Sequence, residues 1–151
     1  MAPEPDRDES DADRLTVLLF TLGENRYCVR LEAVNSVVGV TDTGPLEDAP
    51  DPWNAGTVTV ADGRVRIVDL PRVFTPASAT LERVDEPALL VLRRTVEENV
   101  AYGWLVDNVG ITATINATDL EAPRTSARLV RGRFERDGAD VVLLDEEAIH
   151  G

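Results

Sequence analysis

Residues 57–70, TVTVADGRVRIVDL, carry the strongest short β-hairpin signal in the chain. The segments Thr57 to Ala61 and Arg64 to Leu70 are rich in β-branched residues and flank Asp62-Gly63. An Asp-Gly pair between two such segments is a strong signal for a β-hairpin, because the tight turn needs a positive φ that these residues tolerate. Pro71 follows and ends the second strand, since proline has no N–H for the strand ladder. We therefore predict a hairpin at the centre of the chain.

Short apolar segments with turn signals between them continue on both sides of this hairpin. Their regular spacing is typical of an all-β barrel or sandwich. We predict only short helices, at Glu32 to Val38, where Ala33, Val34, Val37 and Val38 have helical spacing, at Ala117 to Leu120 and at Glu146 to His150. The further predicted strands are Leu15 to Leu22, Arg26 to Leu31, Ala88 to Arg94, Val100 to Val106, Val109 to Ile115, Arg128 to Gly132 and Val141 to Leu144.

The composition excludes several classes of protein. The chain has 151 residues, with 15 Lys plus Arg against 28 Asp plus Glu, and a formal net charge of −13. This negative charge repels the phosphate backbone of nucleic acid. No apolar stretch approaches the roughly 20 residues of a membrane span. The lone Cys28 and lone His150 exclude an internal disulfide and a cysteine-built metal site. We expect no catalytic residue, no cofactor and no metal.

Residues 1–14 are acidic and polar, and we predict a disordered tail there, followed by one domain over residues 15–151. The tail lacks the basic and then apolar order of a secretory signal, which favours a cytoplasmic location. All basic residues are arginine. The carboxylate excess indicates a halophilic host, because salt screens the self-repulsion; an acidic protein from an ordinary cell with a GC-rich genome is the alternative.

Individual residues allow a structural and a functional interpretation. Trp53 lies in a Pro-rich predicted loop, Asp42 to Asn54, where it is either an interface anchor or a lid on the barrel end. Gly56 indicates a positive φ or an interaction edge. Asp69 and Asp107 each follow an apolar strand. This position favours carboxylates that accept hydrogen bonds from backbone N–H groups over a pair that acts as acid and base. Cys28 is predicted to be a buried hydrophobe.

Three blocks of sequence, in this order, resemble the CheW-like adaptor family of chemotaxis coupling proteins. The first is Leu19-Phe20-Thr21-Leu22-Gly23, followed by Tyr27 and Val34. The second runs from Gly56 through Ile67-Val68-Asp69-Leu70 to Phe74, and the third is Gly103-Trp104-Leu105-Val106-Asp107-Asn108-Val109. The resemblance extends from Leu15 to Ile149. It implies two packed five-stranded SH3-like β-barrels, in agreement with the all-β pattern.

The resemblance also implies a function and partners. Family members are non-catalytic adaptors that bridge the cytoplasmic tip of a chemoreceptor and the regulatory domain of the CheA-type histidine kinase. The resemblance implies partner-binding residues at Val34, Ser36, Gly56, Val60 and Ala61. Trp53 joins them as the candidate interface anchor of the Pro-rich loop. Ala61 stands where members carry an arginine associated with receptor contact, and Ser36 where an acid is usual, which leaves receptor coupling open. Arg64 and Arg66 are candidates to supply the charge. The alternative function is a divergent barrel that binds a small ligand or regulates another kinase.

Overall fold

A computed structural model describes residues 14–40, 49–60, 63–74, 86–122 and 129–150. Residues 1–13 of the predicted tail, residues 42–48 of the Pro-rich loop, and Ala61 lie outside these ranges. No helix within them is long and apolar enough to cross a membrane. The described strands are β1 Arg14–Leu22, β2 Asn25–Arg30, β3 Val34–Gly39, β4 Thr57–Val60, β5 Gly63–Asp69, β6 Ala88–Glu97, β7 Val100–Val106, β8 Asn108–Asn116, β9 Val130–Arg136 and β10 Ala139–Leu144. The helices are α1 Leu70–Phe74 and α2 Glu146–His150, with 3₁₀ turns at Leu31–Ala33, Pro52–Asn54 and Ala117–Asp119.

The strands form two five-stranded sheets. The first sheet has the order β8-β1-β2-β10-β9 and the second has the order β3-β6-β7-β5-β4. Neighbouring strands are antiparallel except β2 with β10 and β5 with β7, which are parallel. The central hairpin forms as predicted, with Val58 opposite Val65 and Val60 opposite Gly63. The all-β fold with two five-stranded units is confirmed.

Each sheet combines strands from both halves of the chain. The hairpin of β1 and β2 belongs to the same sheet as β8, β9 and β10, whereas the hairpin of β6 and β7 belongs with β3, β4 and β5. Strands β6–β10 thus repeat the arrangement of strands β1–β5. Each half of the chain contributes two strands to one sheet and three strands to the other. Neither sheet is a contiguous stretch of sequence.

One apolar core joins the two sheets. Trp104 on β7 is fully buried and meets Phe20 of β1 edge-on, with ring centroids 6.5 Å apart. Phe20 stacks on Tyr27 at 6.0 Å, and Tyr27 contacts Phe74 of α1 at 5.4 Å. This chain of rings connects the first sheet, the second sheet and α1. Trp104 therefore belongs to the core that joins the sheets.

The helix predicted over Glu32 to Val38 is wrong. A single 3₁₀ turn, Leu31–Ala33, is followed by β3, which pairs antiparallel with β6. Burial alternates along β3, but the outward-facing position 37 is a valine that is 44% exposed. This exposed valine creates the apparent helical spacing. Pairing with the buried strand β6 decides the structure, and β-branched residues are suited to it.

Candidate interaction surface

A cleft of about 310 Å³ opens where the two edge strands of the second sheet, β3 and β4, face each other. We call it the edge cleft. It is lined by Asn35, Ser36, Val60, Gly63, Arg64, Val65, Val91, Thr95, Asn99 and Ala101. Sheet edges expose unpaired backbone groups and are common sites of recognition.

Ser36 and Val60, two of the residues implied by the resemblance, come together in this cleft. Ser36 is held on β3 opposite Val91 of β6, and Val60 ends β4 opposite Gly63. Both side chains are half-buried. Val65 and Val91 are buried and belong to one apolar cluster, against which Val60 also packs. The cleft therefore has an apolar floor within reach of a partner.

Arg64 provides positive charge at the edge cleft. Its backbone N–H donates to the carbonyl of Asn99 at 3.0 Å, which ties β5 to the β6–β7 turn. Its side chain is exposed and forms no ion pair with any residue that the structure describes. Arg66, the other candidate, does not line the cleft. Ala61 lies outside the described residues, between Val60 and Arg64 in sequence.

Val34 lies in the core that joins the sheets. It is 8% exposed and sits opposite Leu92 of β6. Its side chain therefore supports β3 and presents little surface to a partner.

Trp53 and Gly56 lie beside the cluster that floors the cleft but do not line the cleft itself. Asp51 caps the 3₁₀ turn Pro52–Asn54, and its Oδ1 accepts from the Trp53 N–H at 3.0 Å. The Trp53 side chain is 38% exposed. Ala55, two residues on, is buried in the same cluster as Val65. The Trp53 turn is therefore a second exposed surface, and the same apolar cluster supports it and the edge cleft.

Gly56 has a backbone requirement. Its φ is +139°, in a region that side chains rarely adopt. Its carbonyl accepts from the Ile67 N–H at 2.9 Å, next to a bond of equal length from the Ala55 N–H to the Ile67 carbonyl. These two bonds fasten the Trp53 turn to β5.

The polar and reactive candidates have structural roles among the described residues. Asp107 accepts the backbone N–H of Gly23 at 2.6 Å, as its position after a strand predicts. Asp69 is fully buried, and its Oδ2 lies 4.0 Å from the Arg72 guanidinium. Burial raises the pKa of the Cys28 thiol to about 12, so it stays protonated at neutral pH. A protonated buried thiol is a poor nucleophile.

The sequence did not indicate the polar rim of the edge cleft. Asn35, Thr95 and Asn99 converge there from β3, β6 and the following turn. Asn99 has a φ of +63°, which asparagine tolerates better than most residues.

Comparisons with known proteins point to one family. Residues 16–150 match the profile of the family described as CheW-like domain. A curated relative, the chemotaxis protein CheW of Treponema pallidum (strain Nichols), is 23% identical over 138 residues, which cover 88% of this chain and 80% of that protein. The crystal structure of the scaffolding protein TtCheW from Thermoanaerobacter tengcongensis superposes with a TM-score of 0.70 at 17% identity, covering 87% of this chain and 88% of that one.

Proposed function

The chain belongs to the CheW-like domain family, and on that premise we propose that it is a non-catalytic cytoplasmic adaptor in chemotaxis. It couples a chemoreceptor tip to the regulatory domain of a CheA-type histidine kinase. An adaptor needs two surfaces that are available at the same time and no reacting group.

The observation that most supports this function is that Ser36 and Val60, which are distant in sequence, line the same cleft. The cleft is one surface, and the exposed Trp53 turn is the other. Both rest on the apolar cluster that contains Ala55, Val65 and Val91. Because both surfaces rest on one close-packed cluster, we expect them to keep a fixed separation, which an adaptor between two large partners requires. The Gly56 carbonyl and the Ala55 N–H hold the second surface in place, because each forms a hydrogen bond with Ile67 of β5.

Apolar contacts supply most of the affinity in this proposal. Val60 and Trp53 offer apolar surface at the two positions. At molar salt the Debye length falls to about 3 Å, which screens charged contacts but not apolar burial. Arg64 then helps to orient the partner at the cleft, and so takes the role of the family arginine that Ala61 has replaced. Many such moderate contacts gain strength in an array through effective concentration.

Calorimetric titration tests both surfaces. The full chain is titrated, in multimolar KCl, with the regulatory domain of the host's CheA-type kinase and separately with a soluble chemoreceptor tip fragment. We expect saturable one-to-one binding of the kinase domain. Val60→Thr and Trp53→Ala should each weaken binding of the partner that uses their surface by about fivefold or more, the usual range for an interface anchor.

Val37→Thr is the matched control for Val60→Thr. Val37 is 44% exposed on the same edge strand as Ser36 but does not line the cleft. It should leave both affinities unchanged. Absence of binding to both partners, with circular dichroism showing a folded chain, would overturn the adaptor function. Binding that neither Val60→Thr nor Trp53→Ala weakens would overturn the assignment of the surfaces alone.

A further inference from the structure

The first sheet contains a separate cavity that the adaptor function does not use. It has a volume of about 350 Å³ and lies against the first residues of β8, Asn108 to Ile111. We call it the β8 pocket. Leu19, Ile111 and Val141 line it with apolar surface, and Val141 is fully buried. Ile111 is 63% exposed. The volume falls within the usual range of small-molecule sites, about 300–1,000 Å³.

Two arginines reach the mouth of this pocket from neighbouring strands. Arg26 of β2 is opposite Thr21 and in parallel register with Val141, so it lies on the same sheet face as the buried lining. Arg136 ends β9 two residues after Phe134, which is opposite Val141, and therefore shares that face. Both arginines line the pocket. The register brings the two positive side chains to one opening.

Neither arginine is neutralised by a carboxylate of the described residues, although the chain contains 28 acids. By contrast, Arg30, Arg131 and Arg133 of the first sheet each pair with a carboxylate of the described residues. Asp137, in the β9–β10 turn, also lines the mouth but forms no ion pair with Arg26 or Arg136. The pocket thus combines an apolar wall with two guanidinium groups that have their donors available.

This combination selects a ligand chemistry. A guanidinium binds a carboxylate through two parallel N–H···O bonds, and it does so more strongly where apolar walls exclude water. The space beside Leu19 and Ile111 has room for an apolar body of a few carbons. We propose that the β8 pocket binds a small organic acid, a carboxylate on a branched aliphatic or aromatic body, independently of the two adaptor surfaces.

Amide NMR of the full chain with phenylacetate and 3-methylbutyrate tests this proposal. The spectra are recorded at a KCl concentration at which circular dichroism shows every variant folded. We expect saturable shifts centred on Gly110 and Ile111, two residues of the pocket. Phenylacetamide has the shape of phenylacetate without its charge and should bind at least about tenfold more weakly, as expected for loss of a charge-assisted bond.

Four variants locate the charges. Arg26→Gln and Arg136→Gln should each weaken phenylacetate binding, and Asp137→Asn should strengthen it by removing a repelling carboxylate. Arg93→Gln is the matched control, because Arg93 is an exposed arginine outside the pocket. It should change nothing. The proposal is overturned if the folded chain binds neither acid, if the amide binds as tightly as the acid, or if all four variants bind alike.

Discussion

Among single residues, Gly56 has a backbone conformation whose cost to a side chain can be measured. A side chain at φ +139° is strained, and such strain costs about 1–3 kcal/mol. Gly56→Ala should therefore lower the free energy of unfolding by that amount, measured by urea titration. Gly39→Ala is the matched control, since Gly39 ends β3 without a positive φ and a Cβ there would meet nothing within 4 Å. Equal stability of the two variants would contradict the backbone role of Gly56.

The carboxylate of Glu146 is buried and paired with Arg30. Its side chain is 4% exposed and accepts from Arg30 Nε at 2.8 Å and from the same guanidinium's terminal nitrogen. The hydrogen bond to Glu146 raises the pKa of Arg30. Arg30→Ala leaves a buried charge without its partner, which typically costs about 3–5 kcal/mol.

The double variant separates the pair from its surroundings. Adding Glu146→Leu to Arg30→Ala removes the stranded charge and should restore part of the unfolding free energy. Glu121→Ala breaks the ion pair between Arg133 and a carboxylate that is 62% exposed. That change should cost at most about 1 kcal/mol. If Arg30→Ala costs no more than Glu121→Ala, burial does not govern the strength of these pairs.

At the element scale, Asp145 starts α2 and its contribution depends on pH. Its Oδ1 accepts from the backbone N–H groups of Glu147 and Ala148, both at 3.1 Å. Burial alone raises the pKa of Asp145, but hydrogen bonds from Arg131 and from those two N–H groups outweigh it, and the net shift is downward. The carboxylate thus stabilises the fold above its unfolded pKa of about 3.9 and loses this effect as pH falls through the lower folded value.

Asp145→Ala tests this cap. At pH 7 the variant should lose about 1 kcal/mol of unfolding free energy, the usual value of a helix cap. The difference from the unaltered chain should stay constant down to about pH 5 and shrink below about pH 4. Glu135→Ala, which removes an exposed acid of β9, should show no such trend. A difference that persists unchanged in acid would show that the carboxylate charge plays no part.

The elements also show where sequence reasoning succeeded. The β4–β5 hairpin follows from Asp62-Gly63 and the β-branched segments on either side of it, and it forms. β3 was predicted as a helix because its structure depends on a distant partner, β6, and not on its own six residues. The edge cleft was missed for the same reason. Ser36 and Thr95 meet only after strands from both halves of the chain have paired.

At the scale of the whole molecule, the exchange of strands between halves sets the limit of such prediction. Local patterns identify strands, but they do not say that β3 joins the sheet of β6 or that β8 joins the sheet of β1. The family resemblance, carried by blocks such as Gly103 to Val109, supplied the two five-stranded units. The cavity between Arg26 and Arg136 arises from the register of three strands. No pattern along the chain marks it.

The net negative charge of the chain affects the stability of the whole fold. With −13 formal charges, self-repulsion opposes folding, and KCl screens it. The melting temperature should therefore rise as KCl increases from dilute buffer to molar concentration. Changing five exposed acids to their amides (Glu24, Glu97, Glu98, Asp119 and Glu135) brings the formal charge to −8 and should flatten that rise. Thermal unfolding of both proteins across a KCl series measures the two slopes. A melting temperature that is already maximal in dilute buffer would instead favour an acidic protein of an ordinary cell.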